Sequence, residues 1–172
     1  MSLKIAQVGE AILQTPAIQV TEFHAELKTF VADLKDTLVQ ASGVGIAAPQ
    51  VFDPRAVLII ASKPNKRYPD APDMEPLVMI NPSILSQSET TNQAWEGCLS
   101  VPGLRGLITR SNQVEVAYYD IDGNPQRIEL SGFVARIFLH EYDHLIGQTW
   151  LDHISSSNQV MAESLWLQNY AK

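Results

Sequence analysis

Residues 132–147 read GFVARIFLHEYDHLIG and contain a His-Glu-x-x-His pattern. His140 and His144 are four residues apart, which places both imidazoles on one face of a helix and within reach of one metal ion. Glu141, beside the first histidine, is placed to accept a proton from metal-bound water. Apolar residues dominate before the pattern, and Gly147 indicates a helix end. The stretch therefore predicts a short, largely buried helix that carries two metal ligands.

The third ligand must come from another part of the chain, because a catalytic tetrahedral site needs three protein ligands and one open position. Trp150 stands where one class of metalloprotease has a third histidine, and it cannot bind metal; His153, three residues further on, would need a different loop. Glu163 fits a second class, in which a later helix supplies a glutamate. Cys98, the only cysteine, offers a thiolate that suits zinc or iron. Spacing alone leaves Glu163 and Cys98 open.

Two further motifs precede the helix: GVGIAAPQ at residues 43–50 and EGCLS at residues 96–100. With HEYDHLIG at residues 140–147, the chain resembles the peptide deformylases, whose motifs GxGxAAxQ, EGCLS and HExxH occur in this order. The resemblance runs from Ile5 to about residue 154, and the stretch after EGCLS looks closer to the organellar-type branch. The chain departs from the family at Leu139, where glutamine is usual.

The resemblance implies that the enzyme removes the formyl group from N-formyl-methionine at the start of new polypeptides. By the same resemblance, Cys98, His140 and His144 would hold the metal, and water would take its fourth position. Glu141 would accept the proton of the attacking water and then protonate the departing amine. The side-chain amide of Gln50 and the backbone N–H of Leu99 would stabilise the negative oxygen of the tetrahedral intermediate.

The resemblance also implies a substrate groove. Its residues are Val44, Gly45, Gly97 and Ile137. Val44 and Gly45 would line the substrate strand, whose backbone can pair with an exposed edge. Ile137, one helical turn before the first histidine, would be a wall of the apolar methionine pocket. In the family a glutamate matching Glu96 pairs with an arginine, which here would be Arg110.

The cofactor implied by the family is one divalent metal ion per chain. The ligand types fit zinc and ferrous iron equally well, and the resemblance puts Fe2+ first, with Zn2+, Ni2+ or Co2+ as substitutes. The expected partners are nascent formyl-methionyl polypeptides, with a transient ribosome contact. We expect the protein in the bacterial cytoplasm, with an organelle matrix as the alternative.

Composition and net charge argue against several classes of protein. The 172 residues are 45% hydrophobic and 18% charged, which is typical of a globular protein and predicts a single domain over residues 1–172. The resemblance implies that this domain is catalytic. There is no apolar run long enough to cross a membrane, and a lone cysteine excludes an internal disulfide. A net charge of -7 disfavours nucleic-acid binding, which needs a basic face. These features disfavour a membrane-spanning protein and a nucleic-acid-binding protein.

The apolar patterns predict an α+β fold, with antiparallel β-sheets packed around the central metal-binding HExxH helix, an N-terminal helix and a C-terminal helix. The N-terminal helix is expected between residues 21 and 42 with Thr21 as its cap, and the C-terminal helix over residues 159–170. Strands are expected at residues 55–60, 77–80, 84–89, 113–120 and 126–130. The last two would form a hairpin that turns at Asp122-Gly123-Asn124. Residues 63–76, with four prolines, predict a surface loop.

Two alternatives compete with a deformylase. The first is a metallopeptidase with Glu163 as the third ligand; otherwise Glu163 is expected to be a solvated helix residue. The second is a peptide-binding module without catalysis, against which the intact Glu141, Gln50 and Cys98 argue. Residues 157–172 carry one lysine, one glutamate and no arginine. We therefore expect this tail to brace the domain rather than to anchor it to ribosomal RNA.

Overall fold

The computed structural model describes residues 2–171. Within this range the chain forms three α-helices and eight β-strands. The helices are α1 (Ala25–Gln40), α2 (Gly132–Leu145) and α3 (Glu163–Tyr170). The strands are β1 (Gly45–Ala47), β2 (Val57–Ile60), β3 (Leu77–Gln87), β4 (Thr91–Cys98), β5 (Val101–Ser111), β6 (Gln113–Tyr119), β7 (Pro125–Ser131) and β8 (Val160–Ala162).

The strands form two antiparallel sheets. One has five strands in the order β1-β2-β3-β6-β7, and the other has three in the order β4-β5-β8. Helix α2 lies against strands of both sheets, which confirms the predicted α+β fold around the motif helix. The predicted hairpin is also confirmed, with β6 and β7 paired from Gln113↔Ser131 to Tyr119↔Pro125.

Helix α2 makes apolar contacts on one side and polar contacts on the opposite side. Towards the five-stranded sheet, Phe138 and Ala135 pack in an apolar cluster with Leu58, Ile60 and Val116, all of them buried. Towards the three-stranded sheet, α2 makes polar contacts through Arg136 and the motif residues instead. The apolar side fixes the position of the helix, and the polar side is free to carry chemistry.

The first helix begins later than predicted. Helix α1 starts at Ala25, with His24 in the cap position, so the predicted Thr21 cap is wrong. The preceding segment is held extended against the large sheet: Ile18 bridges to Arg55, and the backbone of Val20 exchanges two hydrogen bonds with the Asn81 side chain. These contacts hold residues 18–20 extended immediately before the predicted helix start.

The two strands predicted on either side of Asn81-Pro82 form one strand, β3, with shifts in register. Asn81 has a φ of 50° and its side chain bonds the backbone of Val20, so the irregularity is a docking point for the N-terminal segment. Strands β4 and β5 were not predicted. Their polar sequence, with glycines at residues 97, 103 and 106, lacks the alternation that indicates a half-buried strand.

The C-terminal helix was predicted to start at residue 159 but starts at Glu163. Val160–Ala162 instead pair with Leu104–Gly106 of β5. The backbone N–H and C=O groups of residues 160–162 therefore take part in the sheet and not in the helix. Trp166 is buried on α3, whereas its neighbour Leu165 is 46% exposed. Across residues 2–171, every helix is too short or too polar to cross a lipid bilayer.

Replacing Trp166 by alanine should lower the free energy of unfolding by about 3–5 kcal/mol, the usual cost of truncating a buried aromatic side chain. Trp166 is 5% exposed, and its ring centroid lies 4.0 Å from the Arg105 guanidinium carbon. Urea unfolding followed by circular dichroism measures the loss. Leu165→Ala on the same helix is the control, and equal losses in both variants would contradict the bracing role of Trp166.

Candidate metal centre

Three side chains expected as metal ligands meet at one point. One ligand atom from each of Cys98, His140 and His144 lies within 4.8 Å of those of the other two, and Cys98 Sγ is 3.4 Å from His144 Nε2. Both imidazoles project from the same face of α2, with ring centroids 5.4 Å apart. One thiolate and two imidazoles are donors that suit zinc or ferrous iron, so the residues present fit a divalent transition metal.

The other two candidate ligands lie outside this group. His153 Nε2 is 2.8 Å from Asp143 Oδ2 and does not belong to the group of three ligand atoms. Glu163 accepts a hydrogen bond from Arg105 Nη2 at 2.9 Å. The expectation that Glu163 is an ordinary solvated residue is wrong, because its side chain is 32% exposed and its partner Arg105 is buried.

Cys98 stands at the last position of β4, where the ladder to β5 is irregular. The register shifts between Glu96 and Cys98, and Cys98 then pairs with Val101 across a two-residue turn. The turn brings the Ser100 N–H to 3.4 Å from the cysteine sulfur, and Gln50 Nε2 lies 3.6 Å from it. Both groups are donors, and both contact the sulfur atom that is the candidate metal ligand.

Glu96 orients the first histidine. His140 Nδ1 lies 2.8 Å from Glu96 Oε2, which leaves the Nε2 lone pair for the metal. Arg110 donates two hydrogen bonds to the same carboxylate, from Nε at 2.8 Å and from Nη2 at 2.9 Å, and this is the pairing that the family resemblance implied. Arg136 donates a third hydrogen bond to it at 2.7 Å. Burial alone would raise the pKa of Glu96, but hydrogen bonds from Arg110 and His140 hold it well below its usual range.

The network extends beyond the residues that the sequence analysis singled out. Arg110 also donates to Asp143 Oδ2 at 2.8 Å, and Asp143 in turn contacts His153. Arg136 donates to the carbonyls of Ile108 and Asn92, at 3.0 and 2.9 Å. Arg136 and Asp143 are both buried on α2. Arg136 and Asp143 are charged residues within a helix that the sequence predicts to be buried. Buried charges usually have charged partners, so their presence indicated a polar network.

The two metal-facing histidines have different environments. Burial, reinforced by nearby positive groups, lowers the pKa of His144 well below its ordinary value and keeps the ring neutral. For His140, burial acts in the same direction, but hydrogen bonds to Cys98 and Glu96 outweigh it and raise the pKa. A metal must displace the proton from His140, so metal affinity is expected to fall on acidification.

Glu141 is 4% exposed, and its Oε2 atom has no hydrogen-bond partner within residues 2–171. Burial raises the pKa of Glu141 to about 7, which suits a group that both accepts and returns a proton near neutrality. Strand β1 approaches this carboxylate very closely at Gly45. A Cβ atom there would lie 2.5 Å from Glu141 Oε1 and 2.7 Å from Ile137 Cγ2, so this position requires glycine.

The amide of Gln50 has a fixed orientation. Its Oε1 accepts a hydrogen bond from the Ala47 N–H at 2.9 Å, so Nε2 must point the other way, towards Ser100 Oγ at 3.2 Å and Cys98. Leu99 directly follows Cys98 in the turn. Gln50 and Leu99 therefore both lie beside the candidate ligands.

An open cavity of about 210 Å³ starts at this centre. It is lined by all four residues expected to contact substrate, namely Val44, Gly45, Gly97 and Ile137. It is also lined by residues that sequence reasoning did not find, among them Arg67, Tyr68, Trp95, Arg105 and Phe133. Residues 63–76 have no helix or strand, as predicted, yet this loop forms part of the cavity wall through Arg67 and Tyr68.

Leu139, which replaces the usual glutamine, is 6% exposed and belongs to the apolar cluster beneath α2. Its backbone carbonyl lies 3.5 Å from Arg110 Nη1. The position therefore contacts the polar network through its backbone, and leucine contributes packing there.

Comparison with known proteins gives consistent matches. A family model described as Polypeptide deformylase matches residues 2–160. Peptide deformylase 2 of Shewanella oneidensis is 50% identical over 92% of this chain and 88% of the relative, and Peptide deformylase 2 of a Nostoc species is 47% identical over 94% and 90%. The Met-Ala-Ser-bound crystal structure of a class I type b peptide deformylase from Acinetobacter baumannii has a TM-score of 0.88 at 41% identity, covering 90% of this chain and 99% of that chain.

Replacing Glu96 by glutamine should destabilise the protein by about 3–5 kcal/mol, because it leaves two buried guanidinium groups without their shared carboxylate. Since the folded pKa lies below the ordinary value of 4.5, the carboxylate stabilises the fold above that pH, and the benefit is lost as pH falls towards the folded pKa. Urea unfolding at pH 7 and pH 4 measures both effects.

Glu115→Gln is the matched control, because Glu115 pairs with Arg127, whose side chain is 66% exposed. We expect little change in that variant. A Glu96→Gln protein as stable as the Glu115→Gln protein would show that the buried network does not hold the two sheets to α2.

Proposed function

Because the chain belongs to the peptide deformylase family, it is a metal-dependent hydrolase that removes the N-formyl group from nascent peptides, and we propose that Cys98, His140 and His144 hold its metal. The observation that carries this assignment is the convergence of the three ligand atoms within 4.8 Å. The hydrogen bond between His140 and Glu96 supports it, since metal-binding histidines usually donate their other ring N–H to a carboxylate or carbonyl.

We propose ferrous iron as the metal, one ion per chain, with zinc, nickel or cobalt able to substitute. The thiolate and imidazole donors suit iron and zinc alike, so the preference for iron comes from the family and not from the ligand set. A divalent ion in this place would acidify a water molecule and polarise the formyl oxygen.

The proposed proton carrier is Glu141. Its carboxylate accepts a proton from the attacking water and then delivers it to the amine that leaves. Burial and the close approach of Gly45 hold the carboxylate in place, and its raised pKa matches both steps. A free Oε2 atom is consistent with this role, because no protein donor competes for it within the described chain.

Gln50 and Leu99 would stabilise the oxygen that becomes negative when water attacks the formyl carbon. The Gln50 amide is preoriented by the Ala47 N–H, so its N–H groups point to the centre before substrate binds. The Leu99 N–H, in the turn after Cys98, is the second proposed donor. Fixed donors of this kind stabilise the transition state without a reorganisation cost.

The proposed substrate groove is the cavity beside the metal centre. Val44 and Gly45 would pair with the substrate backbone on one side and Gly97 on the other, and Ile137 would contact the methionine side chain. All four residues line the cavity. The Acinetobacter baumannii relative supports this placement, because that protein has a similar fold and its crystal structure is bound to Met-Ala-Ser, a peptide that begins with methionine.

We further propose that residues 1–172 form a single domain that works in the bacterial cytoplasm, where formylated chains are made. The relatives named above are bacterial proteins. A transient contact with the ribosome would bring the enzyme to its substrate, but the C-terminal segment is poorly suited to make it. Glu163 is paired with Arg105, and residues 157–172 contain no arginine.

Alanine at Cys98, His140 or His144 should abolish stoichiometric metal binding, because each removes one of three protein ligands. His153→Ala and Glu163→Ala should retain the metal and serve as controls. Elemental analysis of protein purified without oxygen measures metal content and identifies the ion. Full retention in Cys98→Ala, or loss in Glu163→Ala, would contradict the ligand assignment.

Glu141→Gln should retain the metal and lose about 10²–10⁴-fold in the rate of formate release from a formyl-Met peptide, the typical contribution of a general acid–base group. The amide preserves shape but cannot accept the proton. Metal content measured on the same preparation separates this loss from a loss of metal. Near-normal formate release at pH 7 would rule out the proposed role of Glu141.

A further inference from the structure

Residues 6–17, which we call the N-terminal strap, contact all three sequence motifs without lining the cavity. The Ala6 N–H donates to the Gln50 carbonyl at 2.7 Å, at the end of the GVGIAAPQ motif. The Val8 N–H donates to the Ser100 carbonyl at 2.8 Å, at the end of the EGCLS motif. Both bonds are short and join backbone atoms, so the strap ties together the two motifs that supply the proposed donors to the substrate oxygen.

The other end of the strap is fixed to the third motif. The Ala17 N–H donates at 2.8 Å to the carbonyl of Leu145, the last residue of α2. Just beyond the helix, Gly147 has a φ of 76°, and a Cβ atom there would lie 2.9 Å from the backbone of Gln14. The strap therefore packs directly on the end of the helix that carries both candidate histidine ligands, and it links this helix to the other two motifs.

Gln7 adds a side-chain contact to the turn that follows β4. Its Nε2 atom donates to the Leu99 carbonyl at 3.3 Å, and it is also 3.4 Å from the carbonyls of Ile5 and Ala6. The Leu99 carbonyl belongs to the peptide group whose N–H, that of Ser100, lies 3.4 Å from the cysteine sulfur. This peptide group is therefore held at its oxygen by the strap and at its N–H by the candidate metal ligand.

These contacts restrict the direction of the Leu99 N–H. Each residue has only two soft backbone dihedrals. Cys98, on one side of Leu99, is fixed by its pairing with Val101 of β5, and the carbonyls of Leu99 and Ser100 are fixed by the strap. Little freedom remains for the N–H between them. A donor that is oriented before substrate binds stabilises developing charge without a reorganisation cost.

We propose that Gln7 and Val8 are positioning residues, which hold the turn at residues 98–100 so that the Leu99 N–H points to the oxygen that becomes negative during the reaction. This rests on the proposed donor role of Leu99. Gln7 is exposed, Val8 is 49% exposed, and neither residue lines the cavity. Their hydrogen bonds therefore act on the reaction through the turn and not through contact with the substrate.

The test removes each donor in turn. Gln7→Ala removes the side-chain donor, and Val8→Pro removes a backbone N–H that Val8→Ala keeps. We expect kcat for formate release from formyl-Met-Ala-Ser to fall about two- to ten-fold in Gln7→Ala relative to wild type, and in Val8→Pro relative to Val8→Ala, the rate equivalent of one lost hydrogen bond. KM and metal content should match wild type. Gln7→Ala alters no backbone group, so it decides the question even if Val8→Pro does not fold.

Gln126→Ala is the matched control. Gln126 is also an exposed glutamine with a side-chain hydrogen bond, to Asp120 Oδ2 at 3.2 Å, but it lies on β7 and does not line the cavity. Its kcat should match wild type. Equal kcat values in Gln7→Ala and Gln126→Ala would overturn the proposal. A loss of metal that accounts for the lost activity would also overturn it, because the strap would then act on the Cys98 ligand.

Hydrogen exchange of the Leu99 and Ser100 amides, followed by NMR on the zinc-loaded protein, provides a readout that needs no catalysis. We expect both amides to exchange about two- to ten-fold faster in Gln7→Ala than in Gln126→Ala, while the Phe138 amide of α2 keeps its wild-type rate. Unchanged exchange at Leu99 and Ser100 would overturn the proposal. A wild-type protein that releases no formate would instead contradict the proposed function, and the exchange rates would still test whether the strap holds the turn.

Discussion

The hydrogen-bonded carboxylate of Glu96 is the interaction on which the rest of the site depends. It lies on β4 of the small sheet and accepts hydrogen bonds from Arg110 on β5 and from Arg136 and His140 on α2. Two buried carboxylates, Glu96 and Asp143, face two buried guanidinium groups, so the network is balanced before any metal binds. In the proposed site this balance would let His144 act as a neutral ligand, and His140 would do so once the metal displaces its proton.

Helix α2 belongs both to the hydrophobic core and to the candidate metal site. One side packs against the large sheet, and the opposite side makes polar contacts with the small sheet. Phe138 packs against the large sheet, while Arg136 and His140 bind the carboxylate of the small one. A shift of the helix would disturb both sides together. Gly45 adds a further constraint, since β1 lies against Glu141 with no space for a side chain. The proposed ligands on α2 are thus placed by packing that also stabilises the fold.

The sequence predicted the parts that have local patterns. The spacing of His140 and His144, the helix stop at Gly147 and the β6–β7 hairpin each follow from neighbouring residues. Spacing could not choose between Glu163 and Cys98; the family resemblance did. The Arg136 contacts could not be predicted, because they join residues 28 to 44 positions apart and leave no periodic trace. Strands β4 and β5 were missed for a similar reason, since contacts with α2 and β8, and not alternating hydrophobicity, hold them.

In the C-terminal segment, the short pairing of β8 with β5 determines the environment of Glu163. On a weakly amphipathic helix, an acid such as Glu163 is normally solvated. Here Val160–Ala162 add to β5 beside Leu104–Gly106, and this register delivers the next residue to the buried Arg105. A slip of one residue would turn the β8 side chains to the other face and remove Glu163 from its partner. Because Arg105 packs on Trp166 and both Arg105 and Glu163 line the cavity, the C-terminal segment forms part of the cavity wall.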